Sequence, residues 1–338
     1  MVAGGAGYIG AVLTRRLLGE GYRVRVLDSL LYGNGESLSG IADHPGFEFI
    51  RGDVRSTEDV RTAIKGVSDV VLLAALVGDP VCKLNPELAR DTNLNGARTV
   101  LDAASEGSVQ RLVFASTCSN YGLSGEEALS EEDALNPLSL YAETKVEIEQ
   151  DVISRAGSSD LAPTVMRVAT AFGISARMRF DLTVSEFSRD LALGRALEVY
   201  DPDTWRPHCH VYDISSAIID VLEANVADVG GEVFNVGGDD GNHTKRMIAE
   251  AALDVIDGKG EVAWTKGGAD ARNYRVSFAK IRDQLGFTPK RTVPWAIERL
   301  IAAVRSGLFP EVDSRPLYYR NFELRTAAGE GRGGGDAG

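Results

Sequence analysis

Tyr141 and Lys145, four residues apart, form the pair best suited to proton transfer. On a helix this spacing places the phenol and the ammonium on one face. Because a phenol with a pKa of about 10 is a poor base at neutral pH, we expect Lys145 to lower the pKa of Tyr141. On its own, a tyrosine four residues before a lysine is more often exposed on a helix surface. The prediction therefore depends on the other residues that accompany the pair. Thr117 or Ser119, after a predicted strand, can hydrogen-bond an alcohol and direct its proton towards Tyr141.

A glycine-rich turn near the start of the chain is typical of dinucleotide binding. Its glycines satisfy both G-x-G-x-x-G and G-x-x-G-x-x-G, and they are Gly4, Gly5, Gly7 and Gly10. Without side chains, the turn lets a pyrophosphate approach the amides around Tyr8 and Ile9 at the N-terminus of the following helix. The next strand ends in Asp28, whose carboxylate can accept hydrogen bonds from ribose hydroxyls and would repel a 2′-phosphate. The combination predicts NAD rather than NADP. The alternative is that these residues form only a tight turn beside a surface acid, without a cofactor.

The elements that would position these residues alternate between short β-branched runs and amphipathic stretches, as in βα units around a parallel sheet. We predict strands at Arg23–Leu27, Phe47–Ile50, Asp69–Leu73, Arg111–Ala115 and Thr164–Val168. We predict helices between them at Ile9–Glu20, Thr57–Lys65, Pro86–Glu106 and Leu140–Ala156. The fold class is therefore α/β, with a doubly wound parallel sheet.

A second part of the chain follows residue 169, where the regular alternation ends. The predicted elements there are Leu182–Leu193, Asp213–Asn225, Val233–Val236, Thr244–Ile256 and Val293–Ser306. We expect a cofactor-binding domain at 1–169 and a smaller α/β substrate domain at 170–325, from which the chain can cross back to the first sheet. The cleft between them is the natural ligand site. Residues 326–338 are rich in glycine and predict a flexible tail.

Composition excludes several classes of protein. Lys and Arg number 36 against 49 Asp and Glu, which gives a net charge of −13 and disfavours binding to nucleic acid. No apolar run approaches the roughly 20 residues that span a bilayer, so we expect a cytoplasmic protein without membrane contact. Three cysteines without a C-x-x-C pair indicate neither disulfides nor a zinc site. His208 and His210 would share a strand face, but no third ligand is suitably spaced, and we predict no metal.

Together these motifs resemble the extended short-chain dehydrogenase/reductase family, in its branch of NAD-dependent nucleotide-sugar epimerases and dehydratases. The resemblance covers about residues 1–310 and extends to segments 53–54, 73–75, 93–96, 206–213 and 285–287. It implies a Rossmann domain and NAD as cofactor. The cofactor contacts that it implies are Gly4, Gly7, Tyr8, Ile9, Gly10, Asp28, Asp53, Val54, Leu73, Ala74, Ala75, Asn93 and Lys145. For Asp53 and Val54, a place in the N-cap region of the helix at Thr57 is equally compatible.

The resemblance also implies residues that bind the substrate, a nucleotide-diphosphate sugar. They are Ser119, Thr170, Arg179, Arg206 and Arg272. The guanidinium forks of Arg206 and Arg272 match phosphate oxygens, with surface ion pairing as the alternative. Arg177 is expected to face the substrate beside Arg179, and for both a solvated loop is an equally compatible place. Thr170 stands where the family usually has asparagine.

The expected catalytic residues are Thr117, Tyr141 and Lys145. In dehydratases of this family Asp-Glu follows the catalytic hydroxyl residue, whereas this chain has Cys118 and Ser119 there; we expect Cys118 to pack or to contact substrate. The absent acid pair favours an epimerase that passes through a keto-sugar over a dehydratase. The alternatives are a dehydrogenase or ketoreductase with net redox, and a non-catalytic NAD-binding scaffold. Relatives of this pattern pair through helices like Pro86–Glu106 and Leu140–Ala156, so we expect a homodimer.

Overall fold

A parallel seven-stranded sheet forms the larger part of the molecule, in a computed structural model that describes residues 1–125, 127–157, 160–268, 270 and 272–324. Its strands are β1 (Val2–Ala3), β2 (Val24–Asp28), β3 (Phe47–Arg51), β4 (Asp69–Leu72), β5 (Arg111–Thr117), β6 (Ala162–Val168) and β10 (Val233–Val236). They lie in the order β10-β6-β5-β4-β1-β2-β3. The predicted α/β class and doubly wound parallel sheet are confirmed. The predicted tail, 326–338, lies outside the described residues.

Helices cover both faces of this sheet. One face carries α1 (Tyr8–Gly19), α8 (Val211–Glu223) and α11 (Ala279–Leu285), and the other carries α2 (Thr57–Ile64), α5 (Ala97–Glu106) and α6 (Leu140–Ser154). Apolar residues at helical spacing, such as Leu13 and Leu17 of α1, are buried against the strands. Because both faces are covered, β5 and β6 are buried along almost their whole length.

The predicted helix Pro86–Glu106 differs from the observed structure. The chain forms α3 (Asp79–Leu84) and α4 (Pro86–Arg90), then a π-helical turn at Asp91–Gly96, before α5 begins. The widened turn lets Asn93 reach the loop after β4, where its side-chain amide accepts from Leu76 N over 2.7 Å and donates to Leu76 O over 3.1 Å. Amphipathic periodicity cannot reveal such a turn, because the apolar face continues through it.

The second part of the chain builds a smaller α/β unit. Its strands β7 (Thr170–Phe172), β9 (Trp205–His210) and β11 (Asn242–Thr244) form one sheet, and β8 (Leu197–Tyr200) pairs in parallel with β12 (Val262–Thr265). Helices α7 (Thr183–Ala192), α10 (Lys245–Val255) and α12 (Val293–Arg305) pack with these strands around one apolar core. Shorter helices are α9 (Val226–Val229) and α13 (Pro316–Tyr319).

The chain crosses back between the two units. After β9 it returns through α8 to the first sheet, where β10 adds a parallel strand beside β6, pairing Val233 with Val165. The units are therefore interleaved along the sequence beyond residue 169. Within the described ranges, no helix is both long enough and apolar enough to cross a bilayer.

Candidate active site

One crevice between the carboxyl edge of the sheet and the second unit holds almost every residue singled out in the sequence. Its volume is about 470 Å³, within the range of small-molecule sites. The predicted site residues that line it are Gly4, Gly7, Tyr8, Ile9, Gly10, Asp28, Asp53, Val54, Leu73, Ala74, Ala75, Thr117, Ser119, Tyr141, Lys145, Thr170, Arg179, Arg206 and Arg272. Asn93 does not line the crevice; it lies behind the wall and holds the backbone of Leu76.

The glycine turn is folded too tightly for side chains. Gly4 has φ +84°, and a Cβ there would lie 2.7 Å from the Ala74 backbone nitrogen. A Cβ on Gly10 would lie 2.2 Å from the Gly4 carbonyl oxygen. Helix α1 begins directly after this turn, with no acidic residue in its first turn and no side-chain cap on Gly7. Its first amides are therefore available to an anion, as a dinucleotide pyrophosphate requires.

Asp28 ends β2 and faces the crevice. Its carboxylate accepts hydrogen bonds from Ala6 N over 3.0 Å and from Leu30 N over 2.9 Å, which fixes its orientation. Partial burial raises the pKa of Asp28, and the two backbone donors oppose that rise. Each oxygen keeps a second lone pair with which it can accept from a ribose hydroxyl. The glycine turn therefore fits the pyrophosphate of NAD, and the Asp28 carboxylate fits its ribose.

Asp53 and Val54 lie at the end of the crevice next to β3. The N-cap of α2 is Ser56, whose hydroxyl accepts from Asp59 N over 3.2 Å. Asp53 instead pairs with Arg55 over 2.7 Å. Asp53 is thus not the N-cap itself, but its backbone nitrogen donates to Asp59 over 2.8 Å. It belongs both to the N-cap region of α2 and to the lining of the crevice.

Tyr141 stands in the first turn of α6 and is buried. Burial raises the pKa of its phenol well above the usual value, and the nearby Cys82 and Asp79 act in the same direction. A hydrogen bond from Thr117 acts in the opposite direction, so Thr117 and Tyr141 meet at one point of the crevice. We expected Lys145 to lower the pKa of Tyr141, but in the chain alone this pKa is raised.

Lys145 lies one turn further along α6, with its ammonium directed at the sheet. Its Nζ donates to the Ala115 carbonyl oxygen over 2.7 Å and lies 5.9 Å from the centre of the Tyr141 ring. Burial lowers the pKa of Lys145 to about 8, although the charge of Glu149 opposes this. This ammonium therefore has an anionic neighbour and little water around it.

Glu149 continues the same face of α6 and was missed in the sequence. Its carboxylate accepts from Arg167 over 2.9 Å, from Asn120 over 2.6 Å and from the Ser116 hydroxyl. These bonds tie α6 to β5 and β6 beneath the site. The sequence signal that could have identified Glu149 is its spacing: Tyr141, Lys145 and Glu149 follow one another at intervals of four residues, on one face of the helix.

Arg206 and Arg272 come together at the far wall of the crevice around Asp270. Arg272 donates to Asp270 over 2.8 Å through both Nε and Nη2, and Arg206 pairs with the same carboxylate over 3.0 Å. Burial by itself would raise the pKa of Asp270, but the two guanidinium groups outweigh it and hold this pKa well below its usual range. Arg272 also pairs with Asp79 over 3.0 Å and donates to Ser119 Oγ over 3.3 Å. These ion pairs line the crevice rather than the outer surface.

Arg179 is buried rather than part of a solvated loop. It makes a two-bond pair with Asp181, over 2.9 and 2.8 Å. Burial opposes the ionisation of Asp181, yet Arg179 lowers the pKa of that carboxyl overall. Thr170 begins β7 and borders the same crevice, half-buried.

Cys118, His208 and His210 are buried and contact the backbone through hydrogen bonds. Cys118 is 1% exposed and its thiol donates to the Arg167 carbonyl, and burial raises its pKa. Burial lowers the pKa of both histidines to about 3. Within the residues that the structure describes, no three His, Cys, Asp or Glu side chains cluster as metal ligands would.

Comparisons with known proteins agree with this geometry. The model of the NAD dependent epimerase/dehydratase family matches residues 1–237. The UDP-glucose 4-epimerase of Corynebacterium glutamicum is 31% identical, with 86% of this chain and 91% of that protein covered. The crystal structure of Thermus thermophilus UDP-glucose 4-epimerase with NAD has a TM-score of 0.79 at 26% identity, covering 90% of this chain and 98% of that one.

A dehydratase is similarly close. DesIV, the dTDP-glucose 4,6-dehydratase of Streptomyces venezuelae, was solved with NAD and has a TM-score of 0.81 at 27% identity, covering 90% of this chain and 96% of that one. The relatives thus include both reaction types, and they share the cofactor. The chain belongs to the NAD dependent epimerase/dehydratase family, the nucleotide-sugar branch of the extended short-chain dehydrogenases/reductases.

Proposed function

We propose that the protein is an NAD-dependent nucleotide-sugar epimerase that works through a keto-sugar. When bound, NAD supplies a hydride acceptor with a positively charged nicotinamide ring. Tyr141 takes the proton of the sugar hydroxyl and Thr117 shares that hydrogen bond. Lys145 holds its ammonium beside the cofactor site, where it binds ribose hydroxyls. The raised pKa of Tyr141 in the chain alone implies that the cofactor's charge contributes to ionising the phenol.

One observation carries the choice of epimerase over dehydratase: three carboxylates that line the crevice pair with arginines. Asp181 pairs with Arg179, and Asp79 and Asp270 both pair with Arg272. Despite burial, the arginines lower the pKa of Asp181 and of Asp270, so these carboxylates stay ionised and do not donate a proton to a leaving hydroxyl. At the position after Thr117, Cys118 is buried and bonded to the backbone. Among the described residues of the crevice, elimination of water therefore lacks an acid. Epimerisation requires Tyr141 to accept and return one proton, while the hydride would pass to NAD and return to the other face of the keto-sugar.

Substrate binding is proposed at the far wall. Arg206 and Arg272 bind the diphosphate, and Ser119, Thr170 and Arg179 face the sugar. The nucleotide-sugar ligands of similar enzymes support this class of substrate. We also propose a homodimer formed through α5 and α6, which sedimentation velocity tests by distinguishing one chain from two.

The test of the function is incubation with UDP-, dTDP-, GDP- and CDP-sugars, followed by NADH absorbance and NMR of the products. An inverted sugar without accumulated NADH supports the epimerase. Stoichiometric NADH would instead identify the dehydrogenase, and a product that has lost water would identify a dehydratase. Purified protein that carries NAD yet converts none of the sugars would point to the scaffold alternative.

A further inference from the structure

Arg177 is a buried cation with no carboxylate in direct ion-pair contact among the described residues, although the charges of Asp181 and Asp28 act on it from further away. Its side chain is among the largest fully buried ones, at 2% exposure. Nη2 donates to Asn321 Oδ1 over 2.7 Å, and the guanidinium carbon lies 4.7 Å from the centre of the Tyr32 ring. Its Nε has no hydrogen-bond partner. Among the described residues none forms an ion pair with Arg177, in contrast to Arg179 two positions on, which Asp181 neutralises.

The loop that carries Arg177 is docked on the glycine turn. The Tyr8 hydroxyl donates to the Gly173 carbonyl over 2.5 Å, and the Ser175 hydroxyl donates to the Tyr8 carbonyl over 2.8 Å. The Arg177 amide donates to the same Ser175 hydroxyl over 3.3 Å. Arg177 thus comes from the second unit but lines the crevice beside the N-terminus of α1.

Two sources of positive charge therefore converge on one part of the crevice. The first turn of α1 contains no acidic residue, and the direct contacts of the Arg177 guanidinium are with the neutral Tyr32 and Asn321. A buried guanidinium without a counter-ion is costly unless a ligand supplies the negative charge. Its planar fork matches phosphate oxygens.

We propose that Arg177 binds the pyrophosphate of NAD from the side opposite the α1 N-terminus, with Tyr32 and Asn321 holding its guanidinium plane. The inference rests on the cofactor of the family and not on the reaction proposed above. NADP and the nucleotide sugar, the other phosphate-bearing ligands, fit this place less well. Asp28 borders the same region and would repel a 2′-phosphate, while Arg272, which is proposed to bind the substrate diphosphate, donates to Ser119 at the other wall.

Asn321 holds Arg177 in place through contacts with both units. Its side chain also donates to the Val77 carbonyl over 3.0 Å. Its backbone amide donates to Asp181 over 2.9 Å. The position of the Arg177 guanidinium is therefore fixed by residues from several segments of the chain.

The test compares Arg177→Met and Arg177→Lys with the wild type, using Arg305→Met as a control that removes an exposed charge at the end of α12. Isothermal titration calorimetry measures the Kd of NAD, ADP-ribose and adenosine on protein freed of cofactor, and the NAD retained by freshly purified protein is measured as well. For Arg177→Met we expect NAD and ADP-ribose to bind about 10- to 100-fold more weakly. Adenosine, which has no phosphate, should be unaffected. Arg177→Lys, which keeps the charge but loses the fork, should fall between the two, and Arg305→Met should match the wild type.

Several results would overturn the proposal. Unchanged Kd values for NAD and ADP-ribose in Arg177→Met would do so, as would an equal loss for adenosine, which would indicate a merely structural role. A loss confined to NADP, or to the nucleotide sugar, would assign Arg177 to a different phosphate. If circular dichroism shows that Arg177→Met does not fold, Arg177→Lys decides, because wild-type affinity for NAD and ADP-ribose in that variant contradicts binding through the fork.

Discussion

Lys145 and Tyr141 lie one helical turn apart on α6, yet the Lys145 ammonium bonds the Ala115 carbonyl and lies 5.9 Å from the centre of the Tyr141 ring. The two side chains share a face, as their spacing predicted, but they do not form a direct pair. We propose that the lysine binds the cofactor and adds positive charge to the site from a distance. The phenol's immediate partner is Thr117.

Replacing Tyr141 by phenylalanine should abolish most turnover while NAD remains bound. The ring still fills the buried space, but no oxygen is left to take the proton, and the rate should fall about 10²- to 10⁴-fold. Turnover of the accepted sugar nucleotide and the NAD released on denaturation are the measurements. Tyr200→Phe, at an exposed tyrosine on β8, should retain both. Wild-type turnover in Tyr141→Phe would rule out Tyr141 as the base.

The buried Lys145 should make stability depend on pH. Because burial lowers its pKa from 10.5 to about 8, the unfolded chain holds a proton between these values that the folded chain has lost. Folding stability should therefore rise with pH across this window, by about 1.4 kcal/mol per pH unit relative to Lys145→Met. Urea unfolding of both proteins without added cofactor, at pH 7.5, 8.5 and 9.5, measures the difference. A difference that stays constant with pH would contradict the burial of a charged Lys145.

Asp28→Asn should reduce the preference for NAD over NADP. The amide keeps the size of the side chain but removes the charge that repels a 2′-phosphate and weakens acceptance from the ribose hydroxyls. We expect the ratio of the two Kd values to shift towards NADP by about tenfold. Calorimetric titration with both cofactors measures it, with Glu48→Gln on β3 as a control for an exposed charge. An unchanged ratio would show that another group sets the preference.

Glu149→Gln should destabilise the fold far more than loss of an exposed partner does. Arg167 and Glu149 are both buried, at 7% and 5% side-chain exposure, so removing the carboxylate charge leaves a buried guanidinium uncompensated. The expected loss in free energy of unfolding is about 3–5 kcal/mol. Glu106→Gln, whose partner Arg61 is exposed, should cost less than about 1 kcal/mol. Equal urea midpoints for the two variants would refute the structural role given to Glu149.

The sequence was most informative where local geometry alone decides the outcome. A glycine turn before a helix, an acid at a strand end and a tyrosine four residues before a lysine are short-range patterns. Each depends on a few consecutive backbone angles, so the residues of these three patterns could be assigned from the sequence, whereas the substrate arginines came from the family resemblance. The π-helical turn at Asp91–Gly96 escaped because it leaves the apolar periodicity of the flanking helices intact.

Charge pairing was decided only by the tertiary structure. The sequence identified Arg179, Arg206 and Arg272, but it gave no sign that Asp181 and Asp270 would meet them or that Arg177 would stay without a carboxylate in ion-pair contact. The pKa of Tyr141 likewise depends on burial and on neighbours from other segments. Desolvation and Coulomb interactions act between groups brought together from distant parts of the chain, and no local pattern of residues records those distances.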